Sequence, residues 1–252
     1  MQGDRDDRRG GRHRGRRHPT PIWAREPRER RGRARATELS REDIVRAALE
    51  VADEQGHEAV SMRNVARRLG AGAMTLYSYV ESKDDLLDLM FDEIMGQLLI
   101  PEPLPDGWRE ALGAIARRTR AVWLQHPWMA SAVGQRSSFG PNSMRHVEQS
   151  IAAIKDLGLG THESFLVLGA VDDYTLGFTM RQVLQLAAYG GDEPGAVEWR
   201  AAMERYWEDM IATGEFPHLQ AIAASDWELA NDVRFEQGLA WMLDGIAARY
   251  ER

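Results

Sequence analysis

The stretch from Ser61 to Leu87, SMRNVARRLGAGAMTLYSYVESKDDLL, is punctuated closely enough to dictate its own local architecture. Ser61 is placed to cap a helix, because its hydroxyl accepts from the free N–H groups of the first turn, and Val65, Ala66 and Leu69 then share one face. Gly70 follows as the expected stop, since glycine takes the left-handed backbone without penalty. A second, short helix is expected from Gly72 to Tyr79, with Leu76 turned inward and Thr75, Tyr77 and Tyr79 left outside. Ser82 with Asp85 three residues on makes a capping pattern, and Leu87, Met90, Phe91, Ile94, Met95 and Leu98 recur at helical spacing. Two short helices joined by a glycine turn are the geometry of a helix-turn-helix, whose second helix enters the major groove of DNA.

Upstream, Ser40 and Asp43 repeat the capping pattern, Ile44, Ala47, Ala48, Val51 and Ala52 form an inward stripe, and Gly56 ends the helix. This first helix braces the next two into a three-helix unit. Ala73, Met74 and Thr75 fall on the first turn of the recognition helix, where side chains meet bases most directly, and Ala73 and Met74 suit a thymine methyl. Arg63, early in the supporting helix, is placed for a base edge or a phosphate.

From about Ser40 to Leu87 the sequence also resembles the N-terminal signature of TetR-type repressors. The resemblance rests on Ala66 with Gly70 four residues later, Leu76-Tyr77, an aromatic at Tyr79, and Ser82-Lys83 followed by Leu86. It implies that Ser61, Tyr77 and Lys83 meet phosphates and that Tyr79 faces the DNA, so that phosphate contacts set the register and base contacts the sequence. Two positions depart from the pattern. Gly72 replaces the usual serine or threonine cap and should let the recognition helix fray, and Val80 stands where phenylalanine is common.

The rest of the chain reads as all-α: strand signals are scarce, and in 252 residues 43% hydrophobic content is ample for a core. No cysteine is present, which excludes disulfides and thiolate metal sites and points to a reducing, cytoplasmic setting. Charge is unevenly placed. Residues 1–40 carry 13 arginines against six acidic residues, which leaves −14 for residues 41–252 of a chain whose net charge is −7. Acidic groups repel DNA, so contact is confined to one face. The arm, residues 1–39, is rich in Arg, Gly and Pro, has almost no apolar residues besides Ile22 and Trp23, and is expected to be disordered. Such an arm follows phosphates or enters a minor groove, or is simply a solvated tail that raises nonspecific affinity.

Residues 40–100 are therefore read as a helix-turn-helix domain with its connecting helix, and residues 101–252 as a larger α-helical ligand-binding and dimerisation domain. Between them, PEPLPDG (Pro101–Gly107) makes a stiff connector. Short helices are expected over Trp128–Gln135 and Asn142–Leu157. From Thr161 to Tyr189 the chain is apolar all round, yet Asp172, Asp173 and Arg181 at its centre argue against a membrane and for burial between helices, partly against a second copy. Ser225 with Glu228 is read as the cap of the last helix. The C-terminal stretch, particularly Phe235, Gly238-Leu239 and Leu243-Asp244-Gly245, resembles the end of the tetracycline-repressor C-terminal domain. That resemblance implies a homodimer built on the long helix and the last helix, and a fourth helix that acts as a lever to the DNA-reading heads. A twofold dimer also suits a palindromic operator.

No HExxH, paired-carboxylate or glycine-rich phosphate pattern appears, and the Asp172-Asp173 pair points in two directions on a helix, which favours locally partnered, helix-buried carboxylates. Neither catalysis, nor a metal, nor a cofactor is indicated. A small-molecule cavity suits the composition better: Trp123, His126, Trp128, Met129, Phe139, Met144, His146, Tyr174, Phe178, Gln182 and Gln185 offer aromatic and thioether walls with a few polar groups. The reading is a ligand-responsive regulator, most simply a repressor, that binds a double-stranded DNA operator and is released by an apolar or aromatic effector. The alternative is a nonspecific or architectural DNA binder driven by the arginine arm.

Overall fold

A computed structural model describes residues 22–24, 39–132, 140–189, 194–223 and 230–251, and no strand occurs among them. The N-terminal unit comprises α1 (Arg41–Gln55), α2 (Met62–Arg68), α3 (Ala73–Leu76) and α4 (Lys83–Gln97). Local chemistry accounts for each boundary. At Ser40 the capping box is closed, with the hydroxyl accepting from Asp43 N–H and the Asp43 carboxylate from Ser40 N–H, both at 3.0 Å. Ser61 and Ser82 accept from Asn64 and Asp85 N–H in the same way. Gly70 takes φ +63°, which lets Ala71 N–H reach Ala66 C=O at 2.9 Å and Gly70 N–H reach Arg67 C=O at 3.2 Å, a complete Schellman stop.

The recognition helix is shorter than the sequence suggests. α3 is a single turn, and beyond Leu76 the chain continues through turn hydrogen bonds, Tyr79 N–H and Val80 N–H both donating to Leu76 C=O. Gly72 supplies no side-chain cap, the physical reason for fraying. Val80 is fully buried beside Leu76 and Leu86, so the smaller side chain is accommodated within the core.

The second unit comprises α5 (Trp108–Gln125), α6 (Met129–Ala132), α7 (Pro141–Ala153), α8 (Thr161–Tyr189), α9 (Pro194–Ala212), α10 (Pro217–Ala223) and α11 (Asn231–Tyr250). α4 packs on both α1 and α7, α5 on α7 and α8, and α8 on α11. α8 has the expected span. α6 stops well short of the expected helix to Gln135, and α7 ends at Ala153, with Lys155–Leu157 forming a separate 3-10 turn before Gly158. The Ser225 and Glu228 cap lies outside the described residues, and α11 itself begins at Asn231.

Three junctions hold the units together. Asp92 of α4, 4% exposed, accepts from the backbone N–H groups of Asn142 at 3.0 Å and Ser143 at 3.1 Å, and so caps the start of α7. The backbone passes so close that a Cβ on Gly140 would stand 2.1 Å from the Asp92 carboxylate oxygen. The Gln149 side chain binds both the N–H and the C=O of Ile100 at 3.0 and 2.9 Å, pinning the connector to α7, while Arg118 of α5 donates to Gln97 C=O at the end of α4. The third junction involves Asp53, His126 and Trp128.

Of the arm, Ile22–Ala24 forms a short 3-10 turn, and Ile22 and Trp23 pack against the helix-turn-helix core. Its two apolar residues thus take up structure where none was expected, because the core offers them a surface to cover.

Candidate nucleic-acid interface and effector domain

The residues expected to read DNA fall into two groups by exposure. Met74, at 81% the most exposed large apolar side chain among the described residues, stands with Thr75 and Tyr77 on the outer side of α3, and Arg63 and Lys83 are exposed on either side. Ala73 instead packs half-buried against the core, which leaves Met74 and Thr75 as the forward residues of the turn. Tyr79 is half-buried, and its C=O accepts from Arg41 at 3.3 Å. That bond brings Arg41 beside the recognition turn, and with it an exposed cation the sequence reading passed over. Ser78, also passed over, is exposed with its hydroxyl donating to Thr75 C=O at 2.6 Å. Only tertiary contact separates the arginines: Arg68 is held by Glu50 and Glu54 of α1, which also raise its pKa, and braces the scaffold, whereas Arg63 points to solvent.

The residues expected to line an effector cavity divide further. His126 and Trp128 belong to the junction with the DNA-reading unit. His126 Nδ1–H donates to Asp53 Oδ1 at 2.7 Å, Trp128 Nε1–H donates to the same oxygen at 2.7 Å, and His126 Nε2 lies 3.2 Å from the Gln97 side-chain oxygen. The Trp128 ring meets Phe91 edge to face and lies against His57. Met129 is buried in that same core. Met144 is 66% exposed and Gln185 is exposed, so neither faces the interior, and Phe139 lies outside the described residues. Met144 lines an open groove of 670 Å³ with Leu99, Ile100 and Gln149 on the outside of the α4–α7 junction.

His146, Phe178 and Gln182 are buried inside the helical domain, whereas Trp123, also buried, packs with Val122 in the same core as Trp128 and Met129. Tyr174 is half-buried, stacks on Phe235 at 5.6 Å and donates its hydroxyl to Phe235 C=O at 2.8 Å. Arg120 completes this cluster. Its guanidinium lies 4.8 Å from the Phe235 ring centre and donates to Gln182 at 3.0 Å and to Asp232 at 2.6 Å. Asp172 and Asp173, expected as helix-buried carboxylates, are both solvent-exposed, although partial desolvation by its surroundings, with the neighbouring Asp173 charge, pushes the Asp172 carboxyl up to about 6. Among the described residues no group of His, Asp or Glu converges as a metal site, and no helix is long and apolar enough to cross a membrane.

A helix-turn-helix held on a buried α4, itself capping and packing into a larger helical domain, defines a one-component DNA-binding regulator. Residues 44–90 match the model of the tetR family of bacterial regulatory proteins, and residues 100–250 match that of the tetracycline-repressor-like C-terminal domain. The chain belongs to the TetR family of transcriptional regulators, whose members bind DNA and small-molecule effectors. It is 34% identical to the transcriptional repressor DrrR1 of Streptomyces coeruleorubidus over 89% of this chain and 83% of that protein. It is 26% identical to the class A tetracycline repressor of Escherichia coli over 84% of this chain and 93% of that protein. Among solved structures it resembles Streptomyces coelicolor ActR in complex with actinorhodin, with a TM-score of 0.71 and 29% identity, covering 86% of this chain and 99% of that one. These likenesses do not favour a purely architectural DNA binder.

Proposed function

We propose that the protein is a homodimeric repressor that binds a short symmetric operator through Arg63, Met74, Thr75, Tyr77, Tyr79 and Lys83, and leaves it when a bulky aromatic or partly apolar effector enters the helical domain. One observation carries this reading. The exposed recognition turn is tied by polar junctions, Asp53 with buried His126 and Trp128, and buried Asp92 with the start of α7, to the helices that surround the domain interior. A shift of α5 or α7 therefore moves the DNA-reading unit. For that coupling to act, the effector must bind the DNA-incompetent arrangement more tightly than the other. The structure of ActR in complex with actinorhodin supports a small-molecule effector.

A second copy has an obvious seat. Phe165 and Leu166 of α8 and Val233 and Trp241 of α11 are more than half exposed, and α8 packs against α11. Apolar exposure on two adjacent helices is the mark of a protein interface, and a twofold pairing there presents two recognition turns to two half-sites.

Footprinting on DNA upstream of the protein's own gene tests the reading, with the full chain and with residues 1–37 removed. A short symmetric footprint that survives truncation supports an operator reader. Uniform coverage lost with the arm would return the arginine-driven alternative.

A further inference from the structure

The apolar packing is interrupted where the core of the helical domain gives way to the DNA-reading core. Along α5 one cluster of buried apolar residues ends at Ala116 and the next begins at Val122, with Thr119 between them; α8 turns Thr175, Thr179 and Gln182 inward, and α7 turns His146 inward. Polar side chains this deep are normally paired, and most here are. Thr175 and Thr179 donate to the carbonyls one turn back at 2.7 Å, and Gln182 accepts from Arg120. Three atoms differ: Thr119 Oγ1, Trp123 Nε1 and His146 Nδ1 are buried with no hydrogen-bond partner among the described residues.

Leaving a buried donor or acceptor unmatched costs stability, so three of them in one domain need a reason. Thr119 and Trp123 are four residues apart on α5 and share a face, and His146 comes from α7, which packs on α5. Burial lowers the His146 pKa, so its imidazole is neutral. Arg120, next to Thr119 on α5, is already engaged by Asp232, and Asp92 by the N–H groups that open α7. What remains is an indole N–H, a hydroxyl and an uncharged ring nitrogen.

We propose that Thr119, Trp123 and His146 form the polar end of the effector site and receive an uncharged oxygen-bearing edge of the ligand, a quinone carbonyl or phenolic hydroxyl, in preference to a carboxylate or an amine. This rests on the effector-responsive reading above and adds to it the residues and the ligand chemistry. Thr119 carries no sequence signal of this role. Its part follows from being buried without a partner.

The test uses the full-length dimer and three probes: 1,8-dihydroxyanthraquinone, anthracene and anthracene-9-carboxylate, with binding followed by calorimetry. The quinone should bind wild type, and T119V, W123F and H146L should each weaken it roughly tenfold, the loss expected for one neutral hydrogen bond. Anthracene binding should be the same in wild type and variants. Equal quinone binding in all three variants, no quinone binding to wild type, or tighter binding of the carboxylate would overturn the proposal. A ligand-free readout stands beside it: T119V should melt at or above wild type, because it removes an unmatched hydroxyl without changing shape, and a melting point several degrees lower would show that the hydroxyl has a partner in the free protein and count against the site. Operator footprinting of the same proteins keeps the two readings apart. A wild type without a symmetric footprint sinks the repressor reading, whereas variants that keep the footprint and lose the quinone support the effector site.

Discussion

Asp53 of α1 and His126 at the end of α5 meet at 2.7 Å across the boundary between the DNA-reading and helical units, and the same carboxylate oxygen also receives the Trp128 indole N–H. One side chain therefore serves two donors from the other unit. Asp53→Ala strands a buried indole and a buried imidazole, and is expected to lower stability by about 1–3 kcal/mol. Urea unfolding measures this. A loss below about half a kcal/mol would show that the junction is not held by Asp53. The same variant should need more effector to leave DNA, since less of the motion at α5 reaches α1.

The Asp92 cap makes a parallel prediction with a steric check. Asp92→Ala removes the acceptor for two N–H groups at the start of α7 and should cost about 2–3 kcal/mol, in the range for hydrogen bonds to a charged group. Gly140→Ala should destabilise too, by driving a methyl into that carboxylate. Because both act on one contact, the double variant should lose less than the sum of the singles, as a double-mutant cycle would show.

In the recognition turn, Gly72→Ser supplies the missing cap. Glycine at this position is only a few tenths of a kcal/mol worse than serine, so global stability should scarcely move. Amide exchange at Leu76 to Val80 should slow, where the turn now frays. Unchanged exchange there would mean that the cap does not limit the helix.

DNA contacts should separate by type. Lys83→Ala should weaken operator and random DNA alike and lower the salt slope by about one per protomer, as expected for one lost phosphate contact. Met74→Ala should leave the salt slope unchanged and cost about 1–3 kcal/mol on the operator only, if it meets a base. Titrations at several salt concentrations distinguish the two.

The neutral burial of His146 sets a pH dependence. Its folded-state pKa lies below the ordinary imidazole value, so on acidification the unfolded chain takes up a proton that the folded one refuses. Stability from this group is present above about pH 6.5 and is lost as pH falls below it. Thermal melts at pH 7.5 and 5.5 should differ more for wild type than for His146→Leu, and equal differences would refute the assignment.

The sequence alone determined the helix boundaries wherever a cap or stop is a local event: Ser40 with Asp43, Ser61, Gly70, Ser82 and Gly56 all sit where their hydrogen bonds or backbone angles require. Helical periodicity likewise carried the all-α class, because a 3.6-residue period needs no partner to be seen, and the span of α8 was legible as an apolar stretch with no polar side. Tertiary structure decided what each inward residue serves. His126, Trp128 and Met129 look like cavity walls by composition, yet pack into the DNA-reading core, and Met144 and Gln185 face outward, while Thr119 turns inward without a partner. Aromatic, thioether and hydroxyl side chains suit a core, a junction or a ligand equally well. Only the helix that packs opposite each one, set by contacts distant in sequence, selects among the three.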